Sequence, residues 1–242
     1  MSFSSCSKED SIVEEKYQPV PVSQMVVSYE VNCTSIGNAH NILLDGLMNN
    51  NVAISHWENN SPSGVFNEID DLIVYYYPEI NTNDLEDSRV LVEDFLVGLN
   101  LFATELTVSD VKTIVDFIME EKDISTEVIS LVDILFDSYF IQDYDTYMQA
   151  LNDLKSLHIS IEGFEGQFVY VFIDVHEQSS LYWANYALNN NTREVSGFWR
   201  QQGTIIADAA GGAAGFAIAG PFGGYGVGVW TSFCVGNLLW NV

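Results

Sequence analysis

The sequence has few basic residues. Only 8 Lys and Arg stand against 34 Asp and Glu, which gives a formal net charge of -26. Proteins that bind nucleic acid or an anionic membrane surface rely on Lys and Arg for that contact. The composition therefore argues against a nucleic-acid partner and against attraction to anionic lipid. The excess of acid can serve solubility. Calcium binding is the sharper alternative, although no calcium-ligand loop is recognisable.

Cysteine is also rare, with three residues in a chain of 242. Cys6, Cys33 and Cys234 lack the spacing of a metal site, and the sequence predicts neither a metal nor a cofactor. A disulfide between Cys33 and Cys234 in an oxidising compartment stays open. Asp143 and Asp145 resemble the beginning of a calcium loop, but the later ligands and the central glycine are missing.

Charged side chains disappear near the carboxyl end. Residues 209–242 contain no Asp, Glu, Lys, Arg or His, so this segment cannot be a solvated tail. Its small residues recur every four positions in two series, Ala207, Gly211, Gly215 and Ala219, then Gly220, Gly224, Gly228, Ser232 and Gly236. Residues four apart share one helix face. Each glycine costs an exposed helix up to about 1 kcal/mol relative to alanine, so a partner backbone must offset that cost by close packing.

The two series are separated by Gly220-Pro221, where Gly suits a helix end and Pro suits the first turn of the next helix. We therefore predict a helical hairpin, Thr204 to Ala219 and Phe222 to Trp240, with its small-residue stripes face to face as a glycine zipper. The predicted packing stripe consists of Gly211, Gly215, Gly220, Gly224, Gly228 and Gly236. A bilayer span needs about 20 mostly apolar residues. The sequence favours a hairpin buried in its own domain or assembly, and insertion in lipid is the alternative.

Amphipathic patterns upstream predict further helices. They cover residues 36–48, 66–77, 87–106, a segment from 109, a segment from 125, 143–158, and an aromatic helix at 164–189 that we expect beside the hairpin. Asn-rich runs at 49–51 and 59–64 predict loops. Short connectors make neighbouring helices antiparallel. The predicted fold is all-α, a multi-helix bundle with a C-terminal glycine-zipper helical hairpin. Residues 26–242 form this domain, which includes the glycine-rich hairpin at 203–242.

The N-terminal segment resembles the end of a bacterial lipoprotein signal peptide, whose Cys is acylated after cleavage. Small residues precede Cys6, and a polar, acidic run follows it, Ser7, Lys8, Glu9 and Asp10. This run resembles the export signal that sends Bacteroidota lipoproteins to the cell surface. The resemblance implies a lipid anchor at Cys6 in the outer membrane, with residues 1–25 as a flexible tether. The alternative is an ordinary N-terminus with a chance cysteine.

Three short motifs look like a group of uncharacterised Bacteroidota proteins. They are Gly-Asn-Ala-His-Asn at 37–41 with Leu-Asp at 44–45, Ser-Ser-Leu-Tyr-Trp at 179–183, and Ala-Asp-Ala-Ala-Gly-Gly at 207–212. Members of that group share a His-Asn near the start, a Ser-x-x-Tyr-Trp in a late helix and a glycine-rich end. The group implies no activity. The tail also resembles the glycine-rich bacteriocins in composition.

No positioned set of catalytic groups is evident. His40 beside Asn41, with Cys33 as nucleophile, suggests a hydrolase, but a histidine near a helix start more often caps or hydrogen-bonds. His176 and Ser179 lie too close along one helix to form a nucleophilic triad without other partners. We expect no catalytic residue and a surface-exposed outer-membrane lipoprotein acting in binding or assembly, through a protein partner or self-assembly of the hairpin. The alternative is a membrane-active or pore-forming protein whose acidic helical body shields the hairpin until it inserts.

Overall fold

The computed structural model describes residues 35–189 and 195–240, with the side chains of 35–186 and 198–239. These residues form nine α-helices and no strand. The helices are α1 Ile36–Met48, α2 Asn51–Glu58, α3 Pro62–Tyr76, α4 Thr82–Gly98, α5 Val108–Glu121, α6 Thr126–Ile141, α7 Tyr144–His158, α8 Gly163–Asn189 and α9 Val195–Trp240. The prediction of an all-α, multi-helix bundle is confirmed. The predicted tether at 1–25, with its lipidation site and export signal, lies outside the described residues.

Capping side chains set the starts of several helices. Ser125 accepts a hydrogen bond from the backbone N–H of the third residue of α6, and Asp143 does the same for α7. A side-chain cap satisfies an N–H that has no partner inside the helix, and both starts agree with the sequence prediction. α4 begins earlier than the predicted Asp87 or Ser88, because Asn81 caps it.

Two boundaries predicted from the sequence are wrong. α4 does not continue to Leu106, because it ends at Gly98 and Asn100 adopts a left-handed φ of 57° that redirects the chain. The run 49–51 is not a loop. The side-chain oxygen of Asn50 accepts the first free N–H groups of α2, so the asparagine begins a helix.

α9 is the central element of the fold. It has two arms, residues 195–218 and 221–240, because Ala219 and Gly220 leave the helical conformation. Gly220 has a φ of 65°, a conformation that glycine adopts without steric cost, and Pro221 opens the second arm. The first arm begins at 195 rather than at the predicted Thr204. The helices that pack most extensively on α9 are α8, α5, α1 and α4, so the aromatic helix lies beside the hairpin as expected.

The two arms contact each other through positions without large side chains. A Cβ added at Gly215 would overlap the carbonyl oxygen of Gly223, and a Cβ at Gly223 would overlap that of Gly215. A Cβ at Gly211 would overlap the hydroxyl of Thr231. That hydroxyl lies 3.2 Å from the carbonyl oxygen of Ala207 on the first arm and 2.9 Å from those of Val227 and Gly228 on its own arm. The arms therefore run antiparallel with main chain close to main chain.

Some of the glycines predicted to pack one arm against the other have different neighbours. Gly220 forms the bend between the arms. Gly236 faces α8, where a Cβ would lie 2.9 Å from the ring of Trp183. Gly224 does approach the first arm, since its Cβ would lie 3.3 Å from the carbonyl oxygen of Gly212. A four-residue interval identifies a helix face, but it does not specify which neighbour covers each position on that face.

Ion pairs connect the helices that surround α9. Arg89 links α3 to α4, Lys112 links α5 to α6, and Lys155 links α7 to α8. The pairs are Arg89–Asp70 at 3.0 Å, Arg89–Glu93 at 2.7 Å, Lys112–Asp116 at 2.7 Å, Lys112–Asp133 at 2.6 Å and Lys155–Glu177 at 2.8 Å. Since the chain has few cations, several of them are used to join neighbouring helices of the acidic body.

One helix in the described part of the chain is long and apolar enough to cross a membrane. It covers Phe198–Leu239, where an 18-residue window reaches a mean hydropathy of 1.4 and is 83% buried inside the fold. Length and composition of this kind fit a membrane span and also a buried core helix. The side chains around the hairpin therefore decide what it can do.

Candidate functional site

One carboxylate lies inside the apolar hairpin. Asp208 belongs to the first arm of α9, and its side chain is 0% exposed. The indole N–H of Trp183 donates to Oδ2 of Asp208 at 2.8 Å. Oδ1 makes no hydrogen bond of normal geometry. A buried carboxylate is costly unless hydrogen bonds or an opposite charge compensate, so the neighbours of Asp208 define the site.

Three more buried polar side chains face this carboxylate, each from a different helical segment. His40 lies on α1, Ser179 on α8 and Ser232 on the second arm of α9. Burial raises the pKa of Asp208, and its neighbours His40, Ser232, Ser179 and Trp183 oppose that shift. Neither hydroxyl is aligned for a hydrogen bond of normal geometry, and His40 Nε2 also has no partner. These four residues and Trp183 are called the buried polar cluster below.

Contacts between α1 and α8 position His40. The backbone N–H of Gly37 donates to Asp174 Oδ2 at 2.8 Å, and the side-chain amide of Asn41 donates to the carbonyl oxygen of Gln178 at 2.8 Å. His40 Nδ1 lies 3.1 Å from Asn41 Oδ1. A Cβ at Gly37 would lie 2.5 Å from the carbonyl oxygen of Asp174. The glycine therefore permits the close approach that brings the imidazole to the hairpin.

His40 does not cap α1; of the two roles expected for it, the structure shows the hydrogen-bonding one, through Nδ1 and Asn41. The N-cap of α1 is Ser35, whose hydroxyl accepts the N–H of Asn38 at 3.1 Å. His40 lies in the second turn, on the face that carries the buried Leu43 and Leu44. It is a core residue because this face of α1 packs into the fold.

The three motifs that carried the family resemblance meet in this cluster. Motif 37–41 supplies His40, motif 179–183 supplies Ser179 and Trp183, and motif 207–212 supplies Asp208. Nothing in the sequence predicts that these motifs meet, and Ser232 stands there only as a small residue of the stripe. The sequence signal that could have identified Asp208 is that it is the last acidic or basic residue before a long segment without any.

The cluster contains the residue types of a nucleophilic triad but not the geometry of one. A triad needs a hydrogen bond between nucleophile and base, and the hydroxyl of Ser179 makes none. Ser179, His40 and Asp208 are each 0% exposed, so no substrate reaches them in this conformation. Among the residues described, no group of three or more His, Cys, Asp and Glu could hold a metal ion. The arrangement joins α1 and α8 to both arms of the hairpin.

A second buried histidine joins α7 to α8. His176 Nε2 lies 2.8 Å from the hydroxyl of Tyr147, and both side chains are buried. Burial, with a smaller contribution from the charge of Lys155, lowers the pKa of His176 to about 3. Burial also raises the pKa of Tyr147. The imidazole is therefore neutral at pH 7 and accepts the phenolic hydrogen at Nε2.

An open groove of about 410 Å³ lies between α3 and α4. Its lining combines apolar and acidic side chains, namely Val74, Leu85 and Val90 with Asp70, Asp71, Glu86 and Glu93, and also includes Thr82 and Arg89. Burial raises the pKa of Asp70 to about 6, although Arg89 opposes the shift. Tyr75, on α3 near this groove in sequence, is 76% exposed. This is a surface feature, separate from the cluster.

The predicted cysteine sites are placed only in part. Cys234 is a free, buried thiol in the second arm. Cys33, its proposed disulfide partner, lies outside the described residues, as do Cys6 and the export signal Ser7, Lys8, Glu9 and Asp10.

Comparison with protein-family models, with curated proteins and with solved structures gives no match for this chain. The geometry of the hairpin and of the helices that pack on it is therefore the basis for inferring function.

Proposed function

We propose that this protein inserts into membranes, and that it stores an apolar helical hairpin inside an acidic helical body until insertion. The observation that carries the proposal is the length of the two arms of α9. At 1.5 Å per residue, the arms at 195–218 and 221–240 measure about 36 and 30 Å. The hydrocarbon core of a bilayer is about 30 Å thick. The second arm is just long enough to cross it, and the first arm is long enough when its polar start at Arg200, Gln201 and Gln202 is included.

The hairpin carries its own internal contacts. The close approaches at Gly211, Gly215 and Gly223 join one arm to the other, and we propose that they act as a glycine zipper that persists after insertion. Contacts between the hairpin and the body are largely apolar, such as Phe66 against Trp230 at 5.3 Å between ring centroids. Apolar contact is not directional, so lipid chains can replace the body as the cover.

The negative charge of the body determines which lipid surfaces the protein can approach. A net charge of -26 repels anionic lipid at neutral pH. Insertion should therefore be strongest into zwitterionic bilayers and should increase when carboxylates are protonated. The lipid anchor proposed at Cys6 would hold the body near such a surface.

Two engineered disulfides test the proposal. A Cβ at Gly212 would lie 3.7 Å from the Cβ of Val175 on α8, within the range of about 3.5–4.5 Å found in disulfides. Cysteines at these two positions pin the hairpin to the body. A Cβ at Gly224 would lie 3.4 Å from the Cβ of Phe216, and cysteines there join the arms only to each other. This second pair is the matched control. Both variants have the three native cysteines replaced by alanine.

The measurement is dye release from phosphatidylcholine vesicles at neutral and acidic pH. The pinned variant should release dye only after reduction, whereas the arm-to-arm variant should release it in both redox states. Equal release by the oxidised and reduced pinned variant would contradict movement of the hairpin away from α8. Absence of release by every protein would remove membrane insertion as the function.

A second candidate function is binding or assembly at the cell surface without insertion, as a lipoprotein anchored through Cys6. The exposed Tyr75 on α3 favours it, because aromatic side chains are enriched at protein interfaces. In this case a protein partner should co-purify from native membranes, and Tyr75→Ala should reduce recovery of that partner without changing the melting temperature. Unchanged recovery would exclude this surface. Neither candidate function involves catalysis.

A further inference from the structure

One face of the hairpin carries polar or small residues over three successive helical turns, and at the next turn toward the bend Phe216 packs on Gly224. Three cross-arm pairs recur at intervals of four residues and define this polar face, namely Thr204 with Gly236, Asp208 with Ser232, and Gly212 with Gly228. A Cβ at Gly236 would lie 3.9 Å from Cγ2 of Thr204, and a Cβ at Gly228 would lie 3.2 Å from the Cα of Gly212. The carboxylate of Asp208 is in the middle pair. The pairs therefore form a continuous strip on one side of the hairpin.

α1 and α8 cover the polar face in this conformation. A Cβ at Gly228 would lie 3.2 Å from Cδ2 of His40, and a Cβ at Gly212 would lie 3.0 Å from Val175. Trp183 covers the end of the strip and donates to Asp208. The face is therefore hidden only by helices of the body, which are the parts that insertion would remove.

The other side of the second arm is apolar. A Cβ at Gly226 would lie 3.7 Å from the ring of Phe66 on α3, and that ring also packs on Trp230. The hairpin thus has a face suited to lipid and a face that is not.

Asp208 cannot face lipid at low cost. A charged Asp at the centre of a membrane helix is costly on insertion scales. Oδ1 of this carboxylate and the hydroxyl of Ser232 are fully buried without a hydrogen bond of normal geometry, so both retain the capacity to bind water or an ion. In a bilayer the polar face should turn away from lipid toward a shared aqueous interior.

We propose that the polar face lines a cation-selective path formed by several inserted copies, with Asp208 as the residue that selects for cations. This inference rests on the proposed membrane insertion. Asp208 is the only Asp, Glu, Lys, Arg or His among residues 201–242, so once water reaches and ionises it, it supplies the only carboxylate charge of the path. Rings of carboxylates favour cations. The glycines at 212, 228 and 236 leave these three turns free of large side chains, and hydrated monovalent cations are the expected permeant ions.

The experiment is the reversal potential of planar bilayers across a tenfold KCl gradient. An ideally cation-selective path would reverse at about 59 mV, and the wild type should approach that value. Asp208→Asn should conduct with a reversal potential near zero, and Asp208→Glu should keep the wild-type value. Asp87→Asn on α4, an exposed site that loses the same charge, is the matched control and should also keep it. An unchanged reversal potential for Asp208→Asn would overturn the assignment. Absence of conductance in every protein would remove membrane insertion and this inference with it.

A second measurement does not depend on replacing the carboxylate. Ser232→Cys places a thiol on the polar face, and Gly226→Cys places one on the opposite side, each in a chain whose native cysteines are replaced by alanine. A water-soluble cationic methanethiosulfonate should block conductance through the thiol at 232 severalfold more than through the thiol at 226. Equal block, or block only at 226, would show that the polar face does not line the path.

Discussion

Lowering the pH should weaken the fold through His176. The pKa of an unperturbed imidazole is 6.5, whereas burial, with a smaller contribution from the charge of Lys155, lowers the pKa of His176 to about 3 in the folded protein. The folded state therefore binds this proton more weakly than the unfolded state does. The contribution of His176 is fully present above about pH 6.5 and is lost progressively as the pH falls toward 3.

The expected loss of stability follows from the difference between the unfolded and folded pKa values of His176. Each pH unit corresponds to about 1.4 kcal/mol of differential proton binding. At about pH 4.5 the free energy of unfolding should therefore fall by about 2.7 kcal/mol through this one group. Asp70 acts in the opposite direction. Since burial raises its pKa from 3.8 to about 6, its contribution is fully present below pH 3.8 and is lost as the pH rises through 6. The pH profile of the wild type alone is consequently a sum of opposing effects.

A variant pair isolates the histidine. Urea unfolding followed by circular dichroism gives the free energy of unfolding between about pH 7.5 and 4.5 for the wild type, His176→Gln and Tyr147→Phe. The Gln variant keeps a neutral polar group beside Tyr147, so the difference between its profile and that of the wild type should change by about 1.4 kcal/mol per pH unit. Tyr147→Phe removes the hydrogen bond but keeps the imidazole, and it should follow the wild-type slope from a lower starting stability. Parallel profiles for the wild type and His176→Gln would refute the reasoning.

Three further predictions concern the hairpin, the cluster and the anchor. Gly215→Ala should lower the free energy of unfolding by about 1–3 kcal/mol, because its Cβ would overlap the opposite arm. Gly226→Ala, with only an ordinary contact at 3.7 Å, should be neutral or stabilising by up to about 1 kcal/mol; equal effects in chemical unfolding would contradict close packing of the arms. Trp183→Phe removes the donor to Asp208 and should cost about 1–3 kcal/mol in the same assay, and wild-type stability would show that the indole hydrogen bond is dispensable. Cys6→Ala should abolish metabolic fatty-acid labelling of the protein, whereas an unlabelled wild type would exclude the anchor.

Local signals predicted the helices well where a cap and an apolar pattern agreed. Ser125 and Asp143 precede clear helical patterns, and the structure begins α6 and α7 after them. The sequence analysis missed α2 because asparagine is favoured both in turns and at helix N-caps. A tertiary contact fixes its role here, since Nδ2 of Asn50 donates to Glu68 on α3 at 2.6 Å. That contact is not visible in the local pattern.

The buried polar cluster was beyond sequence reasoning for a related reason. His40, Ser179, Asp208 and Ser232 each stand as a single polar residue in a helical pattern, and nothing in such a pattern names a partner far along the chain. The interval of four correctly placed Gly215 near other main chain. The interval alone could not show which face of the first arm packs on the second arm and which face packs on α8.

The order of the helices along the chain has a consequence for biosynthesis. The apolar faces of α1, α4, α5 and α8 all rest on α9, yet the ribosome makes these four helices first. Until the hairpin emerges from the ribosome, these helices have no core element to pack against, and their apolar surfaces remain exposed to chaperones and to neighbouring chains. Maturation should therefore occur late and in one step, after translation has passed residue 240, instead of helix by helix during synthesis.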